Sequence, residues 1–204
     1  MTPLTRSQTR EATALLVAAF DEDPYFNFLT PEKAEREVFV GAVMGTNLVL
    51  GYPREATYAV QAPELRGVCI WFAPGGYPIP FAEQARARAV AIGRALAAGH
   101  AKPATIARAM RMGELLDEAH PDEPCFYLQV LAVDPRHHGR GIGSSMLEVC
   151  CAQADAARLP AVLETSKEMN ARLYRRFGFQ TIRTTVAEGS PAIWTMRRDP
   201  RSLS

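Results

Sequence analysis

Gly139, Gly141 and Gly143 alternate with Arg140 and Ile142 in the run "DPRHHGRGIGSSMLEV", a spacing that suits a loop built around an anion. Residues without a Cβ let the chain curl until successive amide groups converge. A helix that begins at once adds the partial positive charge of its N-terminus, and phosphate is the natural guest. Arg136 and Arg140 flank the glycines and can supply full charges where the amides supply dipoles. A tight strand-to-helix turn that holds nothing would use the same glycines, so the loop alone leaves both readings open. Residue type excludes two familiar phosphate loops. A Walker loop needs a lysine that this run lacks, and a dinucleotide fingerprint needs a third glycine where Gly143 is followed by Ser144, Ser145 and Met146.

Two further residues are suited to moving protons. Tyr174 carries a phenol that stays protonated at neutral pH and can hand its proton to a leaving group; its alternative is packing beside Phe177 and Phe179. Glu164 lies in the apolar run "AVLET", where a carboxylate is costly to bury without a task. That task is accepting a proton, directly or through water, or ordering an arginine or a water. Asp21, Asp23 and His120 are alternate bases, with solvated turn residues as their ordinary reading. His137 and His138 read as exposed loop residues.

The elements that must position these groups can be read from periodicity. Ala12, Leu15, Leu16, Ala19 and Phe20 recur at helical spacing and predict a first helix, which stops at the acidic turn from Asp21 to Pro24. Thr30 followed by Pro31 predicts a second helix from Pro31 to about Leu50. Short strands are expected near Thr57 to Gln61 and Gly67 to Phe72, then an irregular segment from Ala73 to Pro80. Helices are expected over Phe81 to Gly99 and from Pro103 to about His120. "CFYLQVLAV" is apolar at almost every position, as a central strand covered on both faces must be. It runs through the glycine loop into a helix. "AVLET" is the next strand, "NARLYRRFG" a short helix ended by Gly178, and "FQTIRTTV" and "AIWTMRR" a closing strand pair. The order is mixed α/β, without repeat or linker, and residues 1–204 read as one domain.

Composition narrows the function classes. Lysine plus arginine number 23 against 22 acidic residues, a formal +1, so no global field draws the chain to nucleic acid or to an anionic membrane. Four cysteines, Cys69, Cys125, Cys150 and Cys151, show neither zinc spacing nor a disulfide framework. They read as buried packing residues in a reduced, cytoplasmic protein. No metal is expected. The start of the chain does not read as a signal peptide, and Gly51, Pro53, Pro74, Pro78 and Pro80 break every candidate membrane span.

The whole run "YLQVLAVDPRHHGRGIGSSMLE" resembles the acetyl-coenzyme A signature of the GNAT acyltransferase superfamily. Downstream, "LETSKEMNARLYRRFGF" is similar to that family's acidic strand, asparagine and tyrosine-bearing helix. "AFDEDPYFNFLTPE", "HPDEPCFYL", "LETS" and the interval from Asn170 to Tyr174 are similar to the subgroup that includes puromycin N-acetyltransferase. The likeness is strong over about 121–196 and weak before it. It implies a GNAT-like α/β fold in which a central mixed, largely antiparallel sheet, flanked by helices, splays at the coenzyme strand.

It further implies acetyl-coenzyme A as cosubstrate. Leu131, Ala132 and Val133 would pair with its pantetheine arm, one strand amide would polarise the thioester carbonyl, and Arg136, His138, Gly139, Arg140, Gly141, Ile142, Gly143 and Ser144 would surround its pyrophosphate. His138 stands where the family usually has glutamine or arginine. Asn170 matches a position that reaches the pantetheine arm, with helix capping as a compatible alternative. Tyr174 would be the general acid. Glu164 would be the base, as in the family's ribosomal-protein N-terminal acetyltransferases. The acceptor is expected to be an amine of a small molecule, such as a toxin or antibiotic. It would sit under an insert formed by residues 81–119 with Trp71, Phe72 and Tyr77, while Met110 and Met112 read as gap-fillers. Acetylation of a protein N-terminus or lysine, and a non-catalytic acyl-coenzyme A sensor, are the competing functions. A homodimer is compatible with all of these functions.

Overall fold

The computed structural model describes residues 1–97 and 102–201; the expected helix end at Gly99 lies outside them. The strands are β1 (Thr2–Pro3), β2 (Thr57–Gln61), β3 (Leu65–Phe72), β4 (Phe126–Val133), β5 (Ala161–Thr165), β6 (Gln180–Thr185) and β7 (Ile193–Arg198). The helices are α1 (Thr9–Ala19), α2 (Pro24–Leu29), α3 (Lys33–Gly51), α4 (Phe81–Ala97), α5 (Pro103–Asp117), α6 (Ile142–Ala157) and α7 (Glu168–Arg176).

Among the described residues the strands form one sheet, ordered β1-β2-β3-β4-β5-β7-β6. Every neighbouring pair is antiparallel except β4 and β5, which run parallel and are joined through α6. Alternation along the central strands builds two cores. Val68, Ile70 and Phe72 of β3 face one side, where they meet Leu16 of α1, Leu29 of α2 and Leu48 of α3. Cys69 and Trp71 face the other, where they meet Met146, Leu147 and Cys150 of α6 and Tyr174 of α7. Both faces of β3 and β4 are therefore sealed, which is why "CFYLQVLAV" carries no polar alternation.

The structure corrects the sequence reading in several places. The acidic turn after α1 is itself the start of a helix. Asp23 is only 8% exposed, and its Oδ1 accepts from the amides of Tyr25 at 3.0 Å and Phe26 at 3.4 Å, capping α2, whose first residue is Pro24. Thr30 ends α2 rather than starting α3: its hydroxyl donates to the Phe26 carbonyl at 2.9 Å, and α3 begins only at Lys33. Apolar residues of α4 remain in solvent, with Phe81 82% and Leu96 59% exposed. All four cysteines are free and buried, as expected, with Cys69 and Cys150 touching at 3.8 Å between sulfurs.

One polar clamp ties β7, α6 and the end of α7 together. Arg198, 3% exposed, donates from both terminal nitrogens to the Asp155 carboxylate at 2.7 Å each, and from Nε to the Phe177 carbonyl at 2.9 Å. Each guanidinium nitrogen thus has a partner in a place where water has little access. Removing the carboxylate strands a buried cation. Asp155→Ala should therefore lower the unfolding free energy by about 3 kcal/mol or more, read as a shift in urea midpoint, whereas Lys33→Ala at the exposed Lys33–Asp21 pair should leave the midpoint almost unchanged.

Candidate active site

The ladder between β4 and β5 stops early. Phe126 pairs with Ala161, Tyr127 with Val162 and Leu128 with Leu163, and from Gln129 onward β4 has no strand partner on that side among the described residues. On its other side β4 stays paired with β3 as far as Val133, but the register slips between Ile70 and Trp71, which face Val130 and Leu128. Gln129 is the extra residue of this bulge. Its effect is visible in the packing: Tyr127 and Val130 share one core although three residues apart, and Phe126 and Leu128 lie in the other. Such a bulge bends a strand and re-aims the residues beyond it. Here it coincides with the parting of β4 from β5, so Leu131, Ala132 and Val133 present an unpaired edge to a cleft inside the sheet.

The glycine loop follows directly on the unpaired end of β4 and leads into α6. Gly139 and Gly141 adopt positive φ values of 75° and 77°, and Gly141 is the cap residue of α6 with no side chain accepting from the first amides. A Cβ at either position would meet nothing within 4 Å, so the requirement for glycine is one of backbone conformation and open space. The amides at Ile142, Gly143 and Ser144 thus begin a 16-residue helix with no side-chain partner. Arg140 is exposed and makes no hydrogen bond or ion pair among the described residues. Arg136 differs: its guanidinium is gripped by Asp134, with contacts of 2.6 and 3.1 Å, and Glu64 lies 3.9 Å away. His138 turns back to the strand, its Nε2 donating to the Val133 carbonyl at 3.0 Å. His137, expected in solvent, is buried at 7% exposure with its Nε2 2.9 Å from Glu64.

A cavity of about 270 Å³ opens at the splay, and Leu131, Glu164, Asn170 and Tyr174 all line it. Burial pushes the Glu164 carboxyl up to about 7, against the Tyr127 hydroxyl, which donates to Oε2 at 2.7 Å and favours the anion, while Asp117 adds to the rise. Tyr127 is itself held well above the usual phenol range by burial and by Glu164. Around this pair stand Tyr77, whose hydroxyl donates to Asp117 at 3.3 Å, and His120, whose ring packs edge-on to Tyr77 and Tyr127. Burial holds His120 below the ordinary imidazole value. Tyr174 is 6% exposed, packs edge-on to Phe179 at 5.9 Å between centroids, and is raised by burial so that its phenol is protonated throughout the physiological range.

Asn170 sits in the first turn of α7, whose cap is Lys167, so the capping alternative does not hold and its side chain is committed to no helix end. Of the alternate bases, Asp23 lines the cavity but is occupied as the α2 cap. Asp21 is tied to Lys33 at 2.9 Å. Trp71 and Phe72 do not roof the cavity. Trp71 stacks on Phe126 at 5.1 Å and donates from Nε1 to Gln153 of α6, and Phe72 is fully buried core; only Tyr77 of the three lines the cleft. Met112 is core and Met110 lines a second cavity. Sequence reasoning missed Gln129 and Tyr127. The one signal for them was that Gln129 is the single polar amide in an otherwise apolar strand.

Comparison with known proteins agrees with this geometry. Residues 92–181 match the family described as Acetyltransferase (GNAT) domain. A Corynebacterium glutamicum structure described as histone acetyltransferase HPA2 and related acetyltransferase superposes over 99% of this chain and 96% of its own, with a TM-score of 0.69 and 21% identity. Arylalkylamine N-acetyltransferase 2 from Aedes aegypti covers 98% of this chain and 97% of its own at a TM-score of 0.66 and 12% identity. The polyamine N-acetyltransferase of Drosophila melanogaster covers 97% and 98%, with a TM-score of 0.56 and 17% identity. The sheet and its flanking helices form a fold shared with these structures, and the segment that matches the GNAT family contains β4, the glycine loop, α6, β5 and α7, the elements that form the cleft.

Proposed function

We propose that this protein transfers an acetyl group from acetyl-coenzyme A to a primary amine of a small molecule, by direct attack while both are bound. One observation carries the reading: the cleft opened by the parting of β4 from β5 has an anion-ready glycine loop directly after its unpaired β4 edge and the Glu164 carboxyl and Tyr174 phenol in its wall. The residues suit the coenzyme. The first amides of α6 lack side-chain acceptors, Gly139 and Gly141 leave clear the space a Cβ would take, and the β4 edge has free backbone groups. Gly139 to Ser144 with Arg140 would hold the diphosphate, Leu131 to Val133 and Asn170 the pantetheine arm. Arg136 contributes only if it leaves Asp134, and His138 must release the Val133 carbonyl for that group to pair with the arm. Bound there, acetyl-coenzyme A supplies an activated acyl group.

The chain's own residues then manage two protons. An alkylammonium must lose one to become a nucleophile, and Glu164, balanced near neutrality, can take it, with Tyr127 fixing the carboxylate through Oε2. Tyr174 keeps its own proton at all working pH values and can give it to the departing sulfur. Helices α4 and α5 cover the acceptor side of the cleft, which favours a small molecule over a protein N-terminus or lysine needing an open groove. The structural neighbours named as arylalkylamine and polyamine N-acetyltransferases, and the sequence likeness to puromycin N-acetyltransferases, support an amine acceptor such as an antibiotic or toxin.

Thiol release from acetyl-coenzyme A, followed across a panel of amines that includes puromycin, aminoglycosides, polyamines and short peptides, tests the reading. Acceptor-dependent release is expected; coenzyme binding without release for any amine would instead mark an acyl-coenzyme A sensor. Tyr174→Phe should lower kcat about a hundredfold with little change in coenzyme affinity, and an unchanged kcat removes Tyr174 as the acid. Because the unprotonated carboxylate is the active form of Glu164, kcat/KM should rise with pH through an apparent value near 7. Glu164→Gln should abolish that limb, leaving only the ionisation of the amine itself. Gly141→Val, which strains the φ of 77° and adds carbon beside the cradle, should erase the thermal protection given by acetyl-coenzyme A. Protection equal to wild type would refute the loop assignment.

A further inference from the structure

The cleft does not end at the splay. A second cavity of about 250 Å³ lies between α2, α3, α4 and α5, and Tyr25, Asn47, Tyr77, Arg88, Gly113 and Gln129 line both. The two chambers differ in chemistry. Beside the splay stand three carboxyl groups, Asp23, Asp117 and Glu164. Beyond the shared neck the wall is Leu29, Phe39, Ile79, Ile106, Ala109 and Met110, with no acidic side chain among the described lining residues. At the neck, Gln129 Oε1 is buried with no hydrogen-bond partner among the described residues, a costly state that a donor on a bound molecule would relieve. Among the described residues, the only charged side chain that lines both chambers is Arg88, a cation.

We infer that the acceptor is an amphipathic monoamine: an ammonium head for the acidic chamber and an aryl or alkyl body of at least benzene size for the helical chamber, with no second positive charge. This deepens the acetyl-transfer reading and rests on it. The volume exceeds the roughly 150 Å³ of an apolar cavity known to take up benzene, so a phenylethyl, hexyl or indole body fits. A polyamine of the same length does not suit the site. Its second ammonium would have to pass Arg88 and lie among aliphatic side chains with no carboxylate to pair with. A hydroxyl or N–H group one or two atoms into the body would find Gln129.

The neck also supplies a clean variant. A Cβ built on Gly113 of α5 meets nothing within 4 Å and the residue has no positive φ, so Gly113→Leu puts a side chain into the passage without backbone strain, and leucine suits a helix better than glycine.

The test uses the intact protein with acetyl-coenzyme A and four amines: propylamine, hexylamine, 2-phenylethylamine and 1,6-diaminohexane. Each buried methylene is worth about fourfold, so kcat/KM for hexylamine should exceed that for propylamine by about tenfold or more, and should exceed that for 1,6-diaminohexane by a similar factor. Gly113→Leu, checked by its melting temperature, should reduce the hexylamine-to-propylamine ratio to about threefold or less. A ratio near one in wild type, a diamine equal to or better than the monoamine, or an undiminished ratio in folded Gly113→Leu each overturns the inference while leaving acetyl transfer standing. Calorimetric titration of 2-phenylethylamine into the protein saturated with coenzyme A separates the two readings. Binding that Gly113→Leu weakens, with no turnover of any amine, keeps the chamber's ligand class and refutes catalysis; neither binding nor turnover overturns the inference too.

Discussion

A strand in the middle of a sheet ordinarily spends its amides and carbonyls on two neighbours, and in this protein β4 is released from one of them after Leu128. The rest of the site depends on that release. Buried backbone groups demand partners, so an edge kept open inside a sheet is stable only where water or a bound molecule can reach it. The cleft is therefore a requirement of the fold as much as of the chemistry. The bulge at Gln129 bends β4 at the point where pairing ceases, and the packed helices on both faces hold the two strands that the missing ladder no longer ties. α6 does this most directly, since it connects β4 to β5 and starts at the loop where β4 ends.

The polar groups of the molecule fall into two sorts. Arg198 and Asp155 are closed on each other, with a partner at each guanidinium nitrogen, and their task is to fix β7 against α6 and α7. Glu164, Gln129 and Tyr174 are held in place but left short of partners: among the described residues Glu164 accepts from Tyr127 alone, and Gln129 Oε1 from nothing. In a low-dielectric interior such incompleteness costs stability, and a donor or acceptor on a bound molecule would relieve it at the residues that line the cleft. The rise of Glu164 to about 7 is one result of that environment.

Much of this architecture is legible in the sequence alone. The continuous apolar run of β4 announces a strand covered on both faces, the alternating glycines announce the start of α6, and the positions of Glu164 and Tyr174 put both into the same cleft. The features that escape are set by contacts distant in sequence or by geometry without a residue signature. Glutamine is no turn former, so nothing in its type marks Gln129 as a bulge. Thr30 and Pro31 form a plausible helix start, and only the Phe26 carbonyl, four residues back, shows that the threonine closes the helix before it. Asp23 reads as a solvated turn because its cap function depends on a six-residue helix too short to show a periodic stripe. Trp71 and Phe72 point to opposite cores, an outcome dictated by the register of β3 with β4.

The neck at Gly113 and Gln129 divides the molecule's labour along a physical line. The loop, the β4 edge, Glu164 and Tyr174 all stand on the sheet or on helices directly packed to it, whereas α4 and α5, with α2 and α3, wall the far chamber. Substitutions on those two helices can resize or recharge the chamber without disturbing the groups that handle the acyl donor. Drift in one half of the reaction is thereby insulated from the other, so descendants of this chain could change what they modify while keeping how they modify it.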